Sequence, residues 1–250
     1  MRVGQRVRTA ISLPGIPSGT LGTVKEIGRV FVVVLFETGR QGYYARRQLV
    51  PEGCCEEGEG LSEEGMAPLG VVDARVSRGS HLCLLPSSKE VAINAMARFC
   101  TAGVENGELT LCAVPPSWKD YFCYCLSQLG VSGGTDGRDL KILSPSEVYL
   151  PSSEFTASAQ LERLNAILGY LAREDGRPIR ACGHAQGRHR YPEWWDYEDR
   201  VTSLLRAERI VCLCVYHPAG PKSEVWHRAA ALHDRVLRDD TMTLGGLAGG

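Results

Sequence analysis

Three short apolar runs in this chain carry soft donor atoms at two-residue spacing. They hold His81 and Cys83 in HLCLL, Cys182 and His184 in RACGH, and Cys212 and Cys214 ahead of Tyr216 in IVCLCVYH. In an extended backbone, residues two apart share a face, so each pair presents its side chains together. Thiolate and imidazole so arranged are ligands for zinc or a redox-active metal, and an activated thiolate can sense oxidants. Against this, the chain has no CxxC or CxxxH pair, and buried cysteine is a common small core residue. No cofactor is therefore the first expectation. Zinc, iron or haem is the alternative, with His81, Cys83, Cys182, His184, Cys212 and Cys214 as its ligand set. Cys123 and Cys125, two apart on a helical pattern, point in different directions and are read as packing residues.

A second chemistry is suggested by GSHLCLLPSSKE at residues 79 to 90, a strand, a small polar loop with a lysine, and then a helical pattern. A working phosphate loop needs GxxxxGK[ST], whose glycines let backbone N–H groups surround the phosphates while the lysine and hydroxyl hold phosphate and magnesium. PSSKE has no glycine and follows Lys89 with Glu90. ATP hydrolysis is not expected, and Lys89 reads as a solvated residue of the first helical turn.

The elements that must position these residues alternate from Val71 to about Arg238. Continuous apolar runs are separated by helical patterns near 89 to 105, 117 to 129, 156 to 174, 193 to 207 and 222 to 236. Unbroken apolar strands imply a mostly parallel sheet covered on both faces by helices, hence an α/β domain. Ligands of such sheets bind beyond the carboxyl ends of the strands. That rim would collect Ser87, Ser88, Lys89, Pro116, Trp118, His184, Gln186, Tyr216 and His217. Trp194 and Trp195 open a helix next to it, where one caps the pocket or packs and the other lies on the surface. His81 paired with Glu198 reads as a buried polar pair that fixes packing.

Five stretches in this order, GSHLCLLPSSKE, AGVENGE, SEVYLPSSEFTASAQLERL, WWDYEDRV and IVCLCVY, resemble the MEDS domain, the methanogen/methylotroph sensory domain. The resemblance spans about residues 70 to 238. It implies a RecA-like core, similar to clock-type ATPases that share the VENGE turn, without the phosphate loop. It also implies a role in sensing a small molecule or passing a signal. The matching positions are His81, Glu198, Cys212 and Tyr216, whereas Leu213 and His217 depart from the family's usual strand end. Family members often carry a DNA-binding or kinase module, and neither signature is recognisable here.

Residues 1 to 51 alternate tightly and hold Gly4, Gly19, Gly22 and Gly39 at turn or bulge positions, which predicts a small all-β SH3-like barrel. Its first fifty residues carry eight basic and two acidic side chains, although the whole chain of 250 residues has a formal net charge of -1. Such a surface suits nucleic acid, an acidic protein segment or the chain's own linker. Residues 52 to 70 hold that acidic, glycine-rich linker, with vicinal Cys54 and Cys55 inside it. The α/β domain then runs over 71 to 240, and the glycine-rich tail 241 to 250 is expected to be flexible or to cross to a neighbouring subunit. No apolar leader or membrane-length run is present, which predicts a cytoplasmic protein with reduced thiols.

The sequence therefore predicts a non-catalytic sensory or regulatory protein whose α/β domain binds a small ligand or a signalling partner, with no membrane partner. Ligand contacts are expected from His81, Cys83, Ser87, Ser88, Lys89, Pro116, Trp118, His184, Trp194, Glu198, Cys212, Tyr216 and His217. A degenerate RecA-like nucleotide-binding protein, and a cysteine and histidine metal, haem or redox sensor, are the competing readings.

Overall fold

The computed structural model describes residues 2–9, 20–27, 32–37, 39, 41–44, 49–51, 65–131, 137–185, 187–217 and 224–238. Gly19, Cys54, Cys55, Gln186 and the tail lie outside these residues.

The amino-terminal strands β1 (Arg6–Thr9), β2 (Leu21–Ile27), β3 (Val32–Phe36), β4 (Gln41–Tyr44) and β5 (Leu49–Pro51) form one antiparallel sheet in the order β4-β3-β2-β1-β5. Val7, Val24, Val34 and Phe36 make its buried side. Gly22 is required there, because a Cβ would sit 2.5 Å from Val34 Cγ1. β2 bulges between Val24 and Glu26.

A short antiparallel hairpin, β6 (Met66–Pro68) and β7 (Arg75–Ser77), precedes the α/β elements. Met66–Pro68 falls in the stretch expected to be linker. Its burial explains the difference, since Ala67 and Leu69 are fully covered and join the core against the helices. The α/β domain follows as β8 (His81–Leu84), α1 (Lys89–Glu105), β9 (Leu109–Ala113), α2 (Lys119–Gln128), β10 (Leu140–Leu143), α3 (Pro145–Val148), α4 (Ala157–Asp175), β11 (Ile179–His184), α5 (Trp194–Ala207), β12 (Val211–Val215), α6 (Glu224–Leu232) and β13 (Arg235–Leu237).

The predicted parallel sheet is present with six strands, in the order β10-β9-β11-β12-β8-β13, and every described pairing in it is parallel. Helices α1 and α2 cover one face, burying Ile93, Met96, Phe99 and Phe122 against Leu82, Cys112, Cys182 and Leu213. Helices α4, α5 and α6 cover the other, against Cys83, Leu111 and Ala113. The split follows from crossover handedness: connections that step one way across the sheet lie on one face, and those that step back lie on the other.

The helix expected over residues 222 to 236 ends at Leu232, and the apolar Val236 and Leu237 belong to β13 instead. Helical periodicity and a short buried strand look alike over four residues; what decides between them is the free edge of β8. Asp234 takes it, donating its backbone N–H to the His81 carbonyl (2.7 Å) and accepting the His81 N–H on its carboxylate (2.8 Å).

The AGVENGE stretch that closes α1 is a structural device. A Cβ on Gly103 would lie 2.5 Å from Thr110 Oγ1 and 2.6 Å from Arg180 Cδ. Glu108, fully buried, pairs with Arg180 (2.5 Å) and Arg78 (3.0 Å), and Arg180 also donates to the carbonyls of Phe99 and Pro68. These bonds satisfy a guanidinium that is otherwise out of water.

Candidate functional site

Strands β8 and β12 are neighbours, and their register sets His81 opposite Cys212 and Cys83 opposite Cys214. Period-two geometry then puts all four side chains on the face covered by α4, α5 and α6. Over them lies α5, whose buried residues Trp194, Tyr197, Glu198, Val201, Thr202 and Leu205 repeat at three and four. That stripe faces the sheet, so Glu198 and Thr202 are delivered inward among apolar neighbours. The chain after α6 supplies His233, held beside His81 by the Asp234 clamp.

The result is a buried quartet of His81, Glu198, Cys214 and His233, whose donor atoms lie within 4.8 Å of one another. His81 Nε2 is 3.3 Å from Cys214 Sγ and 3.4 Å from Glu198 Oε2, and His233 Nε2 is 3.5 Å from the same Oε2. The far side of each ring is anchored: His81 Nδ1 to Thr202 Oγ1 at 2.9 Å, and His233 Nδ1 donating to the Ala229 carbonyl at 2.7 Å. The two imidazoles stand 4.0 Å apart between centroids. Burial pushes the Glu198 carboxyl up from its ordinary range, with the nearby His233 pulling the other way. The Cys214 thiol is held well up by its Cys212 neighbour and by burial.

Beside the quartet, between the sheet and helices α4 and α5, is a largely apolar cavity of about 60 Å³. His81, Cys212 and Cys214 line its sheet side with Ala113 and Ala181, and Tyr149, Leu168 and Tyr197 line its helix side. By this measure a water needs about 10–15 Å³, so the space fits a few waters or a molecule of a few non-hydrogen atoms.

Of the residues expected on the rim, Trp118, His184 and His217 come together on the opposite face, whereas Tyr216 packs on the quartet's side. Trp118 packs against His184 with ring centroids 4.3 Å apart and planes tilted by 47°, its centroid lies 6.0 Å from that of His217, and His184 Nε2 donates to the His217 carbonyl at 3.2 Å. Burial drives the His184 imidazole down to about 4. Ser88 caps α1 by accepting the Val91 N–H, and Lys89 donates to the Ser117 carbonyl at 3.3 Å. Ser87 and Pro116 are exposed there.

The expected ligand set thus divides between two faces. Cys182 and His184 cannot join His81 and Cys214, because Cys182 packs with the α1 and α2 side and His184 lies against Trp118, while their neighbour Ala181 packs on the quartet side. Cys83 and Cys212 share the quartet's face but stand outside its donor group. Tyr216, beyond Cys214, stacks on Trp195 and reaches the edge of His233. Of the two tryptophans that open α5, Trp194 is the one that packs, 1% exposed among Tyr149, Phe155 and Tyr197, and the ligand contact expected of it is not formed on the rim. His81 with Glu198 was legible as a pair. His233 was missed, and its one local signal is a polar residue directly after the buried run AAAL.

A family model described as the methanogen/methylotroph, DcmR sensory domain (MEDS) matches residues 80–234. No curated protein matches the chain. Among solved structures, a KaiC-like protein of the hyperthermophilic archaeon Pyrococcus horikoshii OT3 is similar at 12% identity with a TM-score of 0.48, covering 70% of this chain and 78% of that one.

Proposed function

This chain belongs to the MEDS family of sensory domains, and we propose that it works as a non-catalytic sensor that takes up a molecule of a few non-hydrogen atoms. The observation that carries this reading is the cavity between the sheet and helices α4 and α5, mostly apolar and edged by His81, Cys212 and Cys214. Small-molecule sites are concave, chiefly apolar and furnished with a few polar groups, and this one has that composition. Its walls come from both the sheet and helices of different crossovers. A bound ligand would therefore bias how α4 and α5 sit on the sheet, which is what a sensor must change.

We read the six-stranded sheet as a RecA-type core used without nucleotide chemistry. Lys89 spends its ammonium on the Ser117 carbonyl and Ser88 spends its hydroxyl on the α1 cap, so neither is arranged as in a phosphate cradle. The basic amino-terminal sheet is the proposed output surface, toward a signalling protein in preference to nucleic acid.

Native mass spectrometry of protein purified from its own host tests the reading, together with an Ala181→Leu variant that fills the cavity. A reproducible small adduct on the wild-type protein that is absent from the folded variant supports it. A bare wild-type protein, or an adduct indifferent to the substitution, refutes the assignment of this cavity.

A further inference from the structure

We propose that His81, Glu198, Cys214 and His233 form a four-coordinate site for a divalent first-row transition-metal ion, zinc above all. The first support is spacing. With bonds of about 2.0–2.3 Å, a tetrahedral ion separates its donors by about 3.3–3.8 Å. Three of the quartet's edges are 3.3, 3.4 and 3.5 Å, and all four donors fall within 4.8 Å.

The second support is the way the rings are anchored. His233 Nδ1 faces a carbonyl, which can only accept, so Nδ1 carries the proton and Nε2 presents a lone pair. Thr202 donates its hydroxyl to the Glu198 carbonyl at 3.3 Å, so toward His81 it acts as the acceptor of Nδ1–H. Both Nε2 lone pairs then face the Cys214 sulfur and the Glu198 carboxyl, so that two nitrogens, a sulfur and an oxygen converge. An outer oxygen accepting the far N–H of each histidine is the habitual support of metal-bound imidazole.

The third support is origin. The four donors come from β8, α5, β12 and the segment joining α6 to β13, so the ion would tie together elements far apart in sequence. Imidazole with thiolate favours zinc over calcium or magnesium, which prefer all-oxygen shells. The site does not depend on the cavity having a ligand.

The test is cobalt spectroscopy on full-length, reduced protein stripped with a chelator. One equivalent of Co(II) should produce d–d bands of tetrahedral intensity and a thiolate-to-cobalt charge-transfer band, both bleached by Zn(II). Cys214→Ser should lose the charge-transfer band, and His233→Gln and Glu198→Gln should each weaken binding at least about tenfold. X-ray absorption of the zinc form of the wild-type protein needs no variant and should show one sulfur with nitrogen and oxygen neighbours. Absence of cobalt bands in folded wild-type protein overturns the assignment, as does a charge-transfer band that survives in folded Cys214→Ser. Neither result bears on Ala181→Leu, so this proposal and the sensory one fail separately.

Discussion

His233 Nε2 lies 3.5 Å from Glu198 Oε2, joining a histidine just past the last helix to a carboxylate on the buried stripe of α5. Both side chains are almost wholly out of water. An ionisable pair in such a place costs solvation free energy, so its loss or retention must register in stability.

His81→Ala should destabilise the metal-free α/β domain by about 2–4 kcal/mol, through the cavity it opens and the Thr202 and Cys214 contacts it removes. Urea denaturation followed by tryptophan fluorescence measures this. An unchanged midpoint would show that the quartet contributes nothing to packing.

The Glu108–Arg180 pair gives the largest expected single-residue effect. Arg180→Met leaves Glu108 buried with Arg78 at 3.0 Å as its remaining ion partner and the Asn106 amide donating at 2.8 Å, and should cost about 3–5 kcal/mol. The double variant Arg180→Met with Glu108→Leu should recover part of that loss, because it removes the buried carboxylate, the rest of the loss being the Arg78 guanidinium deprived of its carboxylate. A double-mutant cycle showing simple additivity would contradict the coupling.

Stability should fall in acid on account of His184. Its folded value is about 4 against an ordinary 6.5, so the unfolded chain binds the proton first. The contribution is complete above about pH 6.5 and is lost progressively as pH falls toward 4, a change of about 3 kcal/mol. His184→Phe should preserve the ring contact with Trp118 and flatten the difference between pH 7 and pH 4.5. A variant whose melting temperature declines as steeply as the wild type would show that other groups set the acid limb.

The polar loop after β8 gives two contrasting outcomes. Ser88→Ala should cost about 1 kcal/mol by uncapping α1. Lys89→Ala should change stability by less than about 0.5 kcal/mol, since it removes one part-exposed bond to a carbonyl. Calorimetry with ATP and magnesium on the wild-type protein should detect no binding, and binding abolished by Lys89→Ala would reinstate the phosphate-loop reading.

Local pattern was enough for several features. Continuous apolar runs fixed a covered parallel sheet, because strands buried on both faces have no polar side to alternate. Period two placed His81 with Cys83, and Cys212 with Cys214, on shared faces, because that geometry belongs to each strand alone. The spacing 194, 197, 198, 201, 202, 205 similarly marked the inward side of α5. The rule that parallel strands end together grouped Trp118, His184 and His217, but also Tyr216, which packs on Trp195 and His233 instead.

The assembly of the quartet was decided elsewhere. Whether β8 lies beside β12 depends on strand order, which no single segment encodes, and strand order made Cys214 rather than Cys182 the neighbour of His81. His233 reaches the site because Asp234 closes hydrogen bonds with the edge of β8, a contact between residues at opposite ends of the domain. The sequence alone determined which donors each element could offer and on which side, since those are properties of local backbone geometry. Only the tertiary structure decided which donors meet, since convergence is set by the docking of crossovers whose energy is shared across both cores.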